Sequence, residues 1–110
     1  MVAEAEARFV RSSPRKVRLV IDLIRGRGVG EALSLLQYTP KAAARTVMKL
    51  LNSAVANAAQ KPGVNTDELF IKEAWVNPGP TLKRVRARAM GRAVRIRKRT
   101  CHIKIVLDQI

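Results

Sequence analysis

The chain has 110 residues, of which 22 are lysine or arginine and 8 are aspartate or glutamate, so its formal net charge is +14. A compact domain with this charge repels itself unless a polyanion neutralises it, and a phosphate backbone is the commonest polyanion. The single cysteine, Cys101, excludes a disulfide framework and fits a reducing compartment, and the 47% of hydrophobic residues exclude a disordered basic tail.

The beginning of the chain predicts a cytoplasmic protein. The segment MVAEAEARFVR contains Glu4 and Glu6, and it resembles neither a signal peptide nor an acid-poor transit peptide. No stretch approaches the roughly 18 apolar residues that span a bilayer. Because 110 residues are close to the commonest domain size, we expect a single domain over residues 1–110.

Residues 2–10 predict the first strand, because apolar and charged residues alternate there. One side of this strand would carry Ala3, Ala5, Ala7 and Phe9.

Three helices follow in the prediction. Ser13 at the cap and Pro14 at the first helical position begin the first helix, and Gly26 ends it. Its apolar residues recur at helical spacing: Val17, Val20, Ile21 and Ile24. The second helix covers residues 30–38. The third covers about residues 40–60, and Thr39 with Pro40 repeats the cap-plus-proline signal at its start.

Two further strands complete the predicted fold class, which is α+β with a small three-stranded antiparallel sheet packed on three helices. Residues 69–77 and 101–107 are rich in branched residues. The chain has four aromatic residues, so we expect at least two of them in the core. The candidates for stacking on bases, as the alternative to the core, are Trp75, Phe70 and Phe9.

Between these strands, residues 78–100 predict a long basic β-hairpin arm that projects from the domain. Residues 83–99 contain nine basic residues and no acid, and seven of the nine are arginine. Gly91 lies where the chain would reverse. An isolated two-stranded ribbon is marginal in water, so we expect the arm to be ordered only where phosphates neutralise it. The alternative is a solvated, flexible charge run.

Two sets of cations are the candidate RNA-binding residues, because arginine matches phosphate oxygens bidentately and stacks on bases. The set near the first helix, for which a solvated helix surface is the alternative, is Arg11, Arg15, Lys16 and Arg18. The set in the arm is Lys83, Arg84, Arg86, Arg88, Arg92, Arg95, Arg97, Lys98 and Arg99.

No enzyme, metal or cofactor chemistry is predicted. Cys101 and His102 are adjacent on a strand, so they point to opposite faces and cannot easily share a metal or a reaction. No Ser-His-Asp set or carboxylate pair can be assembled. The glycines of residues 26–30 follow a helix rather than a strand and lack the Lys-Ser/Thr pair of a phosphate-binding loop.

Four segments resemble, in order, the motifs of the ribosomal large-subunit protein family L-twenty-two of bacterial type. They are SSPRKVRLVIDLIRG at 12–26, LLNSAVANA at 50–58, RAMGRA at 88–93 and KRTCHI at 98–103. The resemblance runs from about residue 5 to residue 107. It implies a cytoplasmic ribosomal protein, or an organellar one, that binds large-subunit ribosomal RNA, touches neighbouring ribosomal proteins and supports subunit assembly.

The resemblance also implies that the end of the arm helps to line the peptide exit tunnel and meets the nascent peptide. The residues of this tunnel tip would be Leu82, Lys83, Arg84, Val85, Arg86, Ala87 and Arg88.

The main alternative is a general nucleic-acid-compacting basic protein. Such a protein would bind duplex DNA as well as folded RNA, and it would need a dimer seam that the sequence does not offer. We therefore expect no homo-oligomer. A membrane-active protein would need an amphipathic helix with an apolar face opposite its arginines, which the arm lacks, so no membrane partner is expected.

Overall fold

The computed structural model describes residues 2–79 and 99–109 in full, and the backbone of residues 82–87 and 93–98. Three helices and five strands lie along this part of the chain, with one short 3-10 turn. They are β1 (Ala3–Val10), α1 (Pro14–Ile24), α2 (Val29–Tyr38), α3 (Ala42–Ala59), the 3-10 turn (Thr66–Glu68), β2 (Leu69–Pro78), β3 (Leu82–Ala87), β4 (Ala93–Lys98) and β5 (Cys101–Gln109). The predicted α+β fold class is confirmed.

The main sheet has three strands in the order β1-β5-β2, and both outer strands run antiparallel to β5. Small residues flank large ones across it: Ile105 lies between Ala5 on β1 and Ala74 on β2. Alanine is a weak strand former, but at Ala3 and Ala5 its small size lets α3 lie close to β1. The alanines of residues 2–10 are therefore explained by packing rather than by strand propensity.

The core is aliphatic. α1 packs on β2, and α3 packs on β1 and β5. The largest fully buried side chains are branched aliphatics, among them Ile21, Ile24, Leu51, Ile71, Ile103, Ile105 and Leu107. On β5 the predicted alternation holds, since Cys101, Ile103 and Ile105 are buried while His102 and Lys104 are partly exposed.

The helix starts differ from the prediction in their chemistry. Ser13 is the cap residue of α1, but its side chain makes no capping hydrogen bond. Thr39 and Pro40 do not begin α3: the cap residue of α3 is Lys41. The Thr39 hydroxyl instead donates to the Leu35 carbonyl over 2.6 Å and closes the end of α2. The cap-plus-proline interpretation was wrong there because the same threonine satisfies the preceding helix.

The outer edge of β2 is covered by α1 and by the turn that follows it. The guanidinium of Arg25 donates to the Ala74 carbonyl over 3.1 and 2.8 Å, and that of Arg18 donates to the Val76 carbonyl over 3.4 and 3.1 Å. The Gly26 N–H donates to the Ile71 carbonyl over 3.0 Å. These bonds satisfy edge carbonyls that would otherwise be free to pair with another strand.

All four aromatic residues lie in the described part of the chain, and none is buried. Phe9 is 61% exposed and Tyr38 80% exposed, while Phe70 and Trp75 are half-buried. The expectation of two aromatics in the core was wrong, because aliphatic side chains and Cys101 make up the buried core instead.

Candidate RNA interface

The arm contains a separate two-stranded antiparallel sheet formed by β3 and β4. Its register places Lys83 opposite Arg97, Arg84 opposite Ile96 and Val85 opposite Arg95, and it ends at the pair Ala87–Ala93. Five of its six cross-strand pairs contain at least one cation, and neither strand contains an acid. Like charges directly opposite each other destabilise a strand pair, so this ladder does not neutralise its own charge.

The base of the arm is joined to the sheet by main-chain pairing. Asn77 pairs with His102 and Pro78 with Cys101, and the Gly79 N–H donates to the Thr100 carbonyl over 2.9 Å. The arm therefore leaves the sheet at the end of β2 and returns to it at the start of β5. Among the predicted arm residues, Arg99 is exposed at this base. Arg88, Arg92 and the turn glycine Gly91 lie outside the described residues, as do the side chains of residues 82–87 and 93–98.

Three of the four predicted residues near α1 form an exposed group. Arg11, Arg15 and Lys16 are exposed, and no other described residue is bonded or ion-paired to them. Arg18 differs, because two of its guanidinium nitrogens already donate to the Val76 carbonyl. We call Arg11, Arg15 and Lys16 the helical patch. Their N–H donors remain available to phosphate oxygens.

A further basic stripe on α3 escaped the sequence analysis. Lys41, Arg45 and Lys49 are four residues apart, so they follow one face of the helix, and all three are exposed. Lys41 and Lys16 line the same cavity of about 430 Å³ between the starts of α3 and α1. The stripe thus adjoins the helical patch. The four-residue spacing was present in the sequence, but only the contact between the two helices joins it to Lys16.

Elsewhere among the described side chains, five cations are paired with acids, and Arg18 and Lys61 donate to main-chain carbonyls. Arg8 bonds Glu6 over 3.2 Å, Arg25 bonds Asp22 over 2.7 Å, and Arg27 bonds Glu31. Two more pairs cross the sheet surface, from Lys72 to Asp108 over 3.5 Å and from Lys104 to Glu4 over 3.2 Å. The Nζ atom of Lys104 also lies 5.4 Å from the centre of the Trp75 ring, so a cation already covers this candidate for base stacking. Unneutralised charge therefore concentrates in the arm, the helical patch and the α3 stripe.

Two side chains away from these basic surfaces, Cys101 and Asp108, have pKa values that their local packing and hydrogen bonds shift. Burial raises the pKa of the Cys101 thiol above its ordinary value, and the nearby Arg18 partly opposes this. A hydrogen bond from the Gln109 N–H, assisted by Lys72, lowers the pKa of Asp108. Within the described residues, no group of three or more histidine, cysteine or acidic side chains could hold a metal ion.

The family model "Ribosomal protein L22p/L17e" matches residues 5–108. A protein of Desulfitobacterium hafniense named large ribosomal subunit protein uL22 is 60% identical over 105 residues, which cover 96% of this chain and 92% of the relative. The uL22 proteins of Halothermothrix orenii and Staphylococcus haemolyticus are 54% and 57% identical, and they cover 99% and 98% of the chain and 96% and 92% of their own lengths.

The chain belongs to the uL22 family of ribosomal proteins. The resemblance seen in its four sequence motifs is confirmed. Members of this family are structural components of the ribosome and not enzymes. In the described part of this uL22-family chain, no helix is long and apolar enough to cross a membrane.

Proposed function

We propose that this chain is a structural component of the large ribosomal subunit and binds ribosomal RNA through the arm, the helical patch and the α3 stripe. The observation that carries the proposal is the β3–β4 register, in which five of six pairs contain a cation and no acid is present. The uL22 relatives are named as large-subunit proteins, which agrees with an RNA-rich partner.

The physical reason is that the described backbone of the arm gains little stability by itself. β3 and β4 pair only with each other in the described sheets, and a two-stranded ribbon without a packed face is marginal in water. The Lys83–Arg97 pair adds repulsion. Phosphate groups on both sides of the ribbon would remove this repulsion, and each neutralised phosphate releases a counterion. RNA binding and ordering of the arm are therefore expected to be one event.

The test compares two variants that lose the same number of charges. In the arm variant, the arginines at 84, 86, 95 and 97 are replaced by glutamine. In the control variant, four acid-paired cations of the domain are replaced by glutamine: Arg8, Arg27, Lys72 and Lys104. Affinity for transcribed large-subunit ribosomal RNA is measured over a series of KCl concentrations. For the arm variant, the slope of log affinity against log KCl should become shallower by about 0.7–0.9 for each phosphate contact removed.

Equal salt slopes in the two variants would contradict the assignment of binding to the arm. Binding to duplex DNA is measured in the same series. Equal affinity for DNA and RNA would favour the alternative of a nucleic-acid-compacting protein. The sequence disfavours that alternative because it offers no obvious exposed apolar helix face for a dimer seam. In cells, the wild-type chain should remain with the large subunit on a sucrose gradient after a high-salt wash.

We further propose that the tunnel tip, Leu82 to Arg88, lines the peptide exit tunnel and contacts the nascent peptide. The proposal rests on the family resemblance and on the pairing of β3 with β4 as a two-stranded sheet separate from the three-stranded one. Val85→Cys should cross-link to a stalled nascent peptide in intact ribosomes, whereas Ser34→Cys on the exposed surface of α2 should not. The native Cys101 is buried and gives little background. A cross-link from position 34 alone would exclude the proposed orientation.

The remaining partners follow from the same placement. We propose that the chain contacts neighbouring large-subunit proteins and is present as one copy, without forming a homo-oligomer. Light scattering of the free protein should give the mass of a monomer, about 12.2 kDa.

A further inference from the structure

Phe9 has a backbone conformation that its residue type rarely adopts. Its φ is +55°, and no other non-glycine residue in the described part of the chain has a positive φ. The β1–β5 pairing is irregular between Ala7 and Val10, which places Phe9 in a bulge. Ala3 and Ala5 are buried on β1, whereas Phe9 is 61% exposed. The bulge therefore removes the ring from the side of the strand that the sequence predicted.

His102 on β5 holds Phe9 in this position. The Phe9 N–H donates to Nδ1 of His102 over 3.0 Å, and the two rings meet edge to face with centroids 4.9 Å apart and planes at 87°. The bond fixes the backbone and the ring contact limits rotation of the side chain. Most of the residue nevertheless faces solvent. A strained conformation that presents a fixed ring to solvent is a feature of binding sites, because the domain itself gains no burial from it.

The surroundings of Phe9 are basic. Arg11 of the helical patch follows Phe9 two residues later, whereas Arg8 directly before it is paired with Glu6. Val10 pairs with Cys101, so the exposed Arg99 lies at the same end of the sheet, where the arm begins. An exposed ring among arginines suits a nucleobase whose phosphates contact the cations, and it does not suit an apolar protein surface.

We propose that the ring of Phe9 stacks on an unpaired base of ribosomal RNA at the base of the arm, and that His102 is its positioning residue. This inference rests on the proposed RNA-binding function and adds a contact without charge to it. The other aromatic candidates are less suited to stacking. Lys104 lies over the Trp75 ring. Phe70 is half-buried, and its backbone forms a β-bridge with Gly28.

The first test uses Phe9→Gly. Glycine adopts a positive φ at no steric cost, so this variant should unfold at a temperature no lower than the wild type. It removes the ring and should weaken binding to transcribed large-subunit ribosomal RNA by about tenfold. Because no charge is removed, the slope of log affinity against log KCl should not change. Arg99→Gln is the matched control, and it should lower that slope by about 0.7–0.9.

A second variant separates stacking from simple packing. Phe9→Trp keeps a larger aromatic ring and should restore wild-type affinity, whereas Phe9→Leu keeps apolar volume and should not. In intact subunits, ultraviolet cross-linking followed by mass spectrometry should yield a nucleotide adduct on the peptide that contains Phe9.

The outcomes distinguish this inference from the function on which it rests. If the wild-type chain does not bind ribosomal RNA, both fail. If the wild type binds and Phe9→Gly or Phe9→Leu binds equally well, only the stacking inference is overturned. A cross-link from Phe9 to a neighbouring protein, with no nucleotide adduct, would overturn it as well and would assign the ring to a protein contact.

Discussion

Two antiparallel ladders in this chain are stabilised in different ways. In the β1-β5-β2 sheet, Ile105 is fully buried between Ala5 and Ala74 and is covered by helices. In the β3–β4 ribbon, Lys83 faces Arg97, and no third strand pairs with it among the residues that the structure describes. Main-chain pairing is common to both, so the side chains decide what stabilises each ladder. The sheet is stabilised by burial within the chain, whereas we propose that the ribbon is stabilised by anions of a partner.

The largest expected effect on the free energy of unfolding is at a buried position of the three-stranded sheet. Ile105→Ala removes a fully buried side chain from the central strand and leaves a cavity. The free energy of unfolding of the free protein, measured with urea by circular dichroism, should fall by about 2–5 kcal/mol.

The corresponding change in the ribbon is Val85→Ala. Because β3 and β4 form a separate two-stranded sheet, the free energy of unfolding should change by less than about 0.5 kcal/mol. If this change costs as much as Ile105→Ala, the arm is part of the cooperative fold even without RNA, and the contrast between the two ladders is wrong.

The junction of the two regions is expected to be the next most sensitive point. A Cβ on Gly79 would lie 2.6 Å from the hydroxyl of Thr100, which is 4% exposed. Gly79→Ala should therefore cost about 1–3 kcal/mol of unfolding free energy. Gly30→Ala is the control, since nothing lies within 4 Å of its Cβ position in α2. It should raise stability by about 0.4–1 kcal/mol, and equal destabilisation of both would exclude a steric cause at Gly79.

A smaller effect is expected at the covered edge of β2. Arg25→Met keeps the apolar stem but removes the donors to the Ala74 carbonyl. The expected loss is about 1–2 kcal/mol, because a part-buried acceptor is left without its partner. Lys72→Met is the control on the same strand, where a surface ion pair to Asp108 is worth about 0–1 kcal/mol. Urea unfolding of both variants measures the difference in stability. An equal loss would mean that water replaces Arg25 as the hydrogen-bond donor to the Ala74 carbonyl.

The sequence predicted the sheet residues well where one physical rule decided the outcome. The alternation of Cys101, Ile103 and Ile105 predicted a half-buried strand, and the acid-free run of arginines favoured a surface that binds anions over a solvated charge run. Thr39 was misassigned because it can cap a following helix or close a preceding one, and only the position of Lys41 separates the two.

Phe9 and the α3 stripe show what periodicity cannot supply. The alternation of β1 predicts an inward Phe9, but a bulge depends on the register with β5, more than 90 residues away in the chain. Lys41 and Lys16 are likewise joined only by the packing of two helices around a cavity. Local spacing therefore identified the arm, whereas contacts distant in sequence identified the base-stacking candidate and the second basic surface.

The smallest expected effect is the pH dependence of the stability of the three-stranded sheet. The arm does not share this dependence, because residues 80–98 contain no cysteine, histidine or acid. Burial raises the pKa of Cys101 in the folded state, with Arg18 opposing part of the rise. The resulting stability is fully present below the pKa of the thiol in the unfolded chain and is lost as the pH rises through the folded-state pKa. The loss is at most about 1.4 kcal/mol per pH unit, because one proton is linked. Urea unfolding between pH 7 and 10 should therefore show a steeper decline for the wild type than for Cys101→Ala. Parallel declines would mean that the thiol titrates alike in both states and that the start of β5 opens to water without unfolding of the sheet.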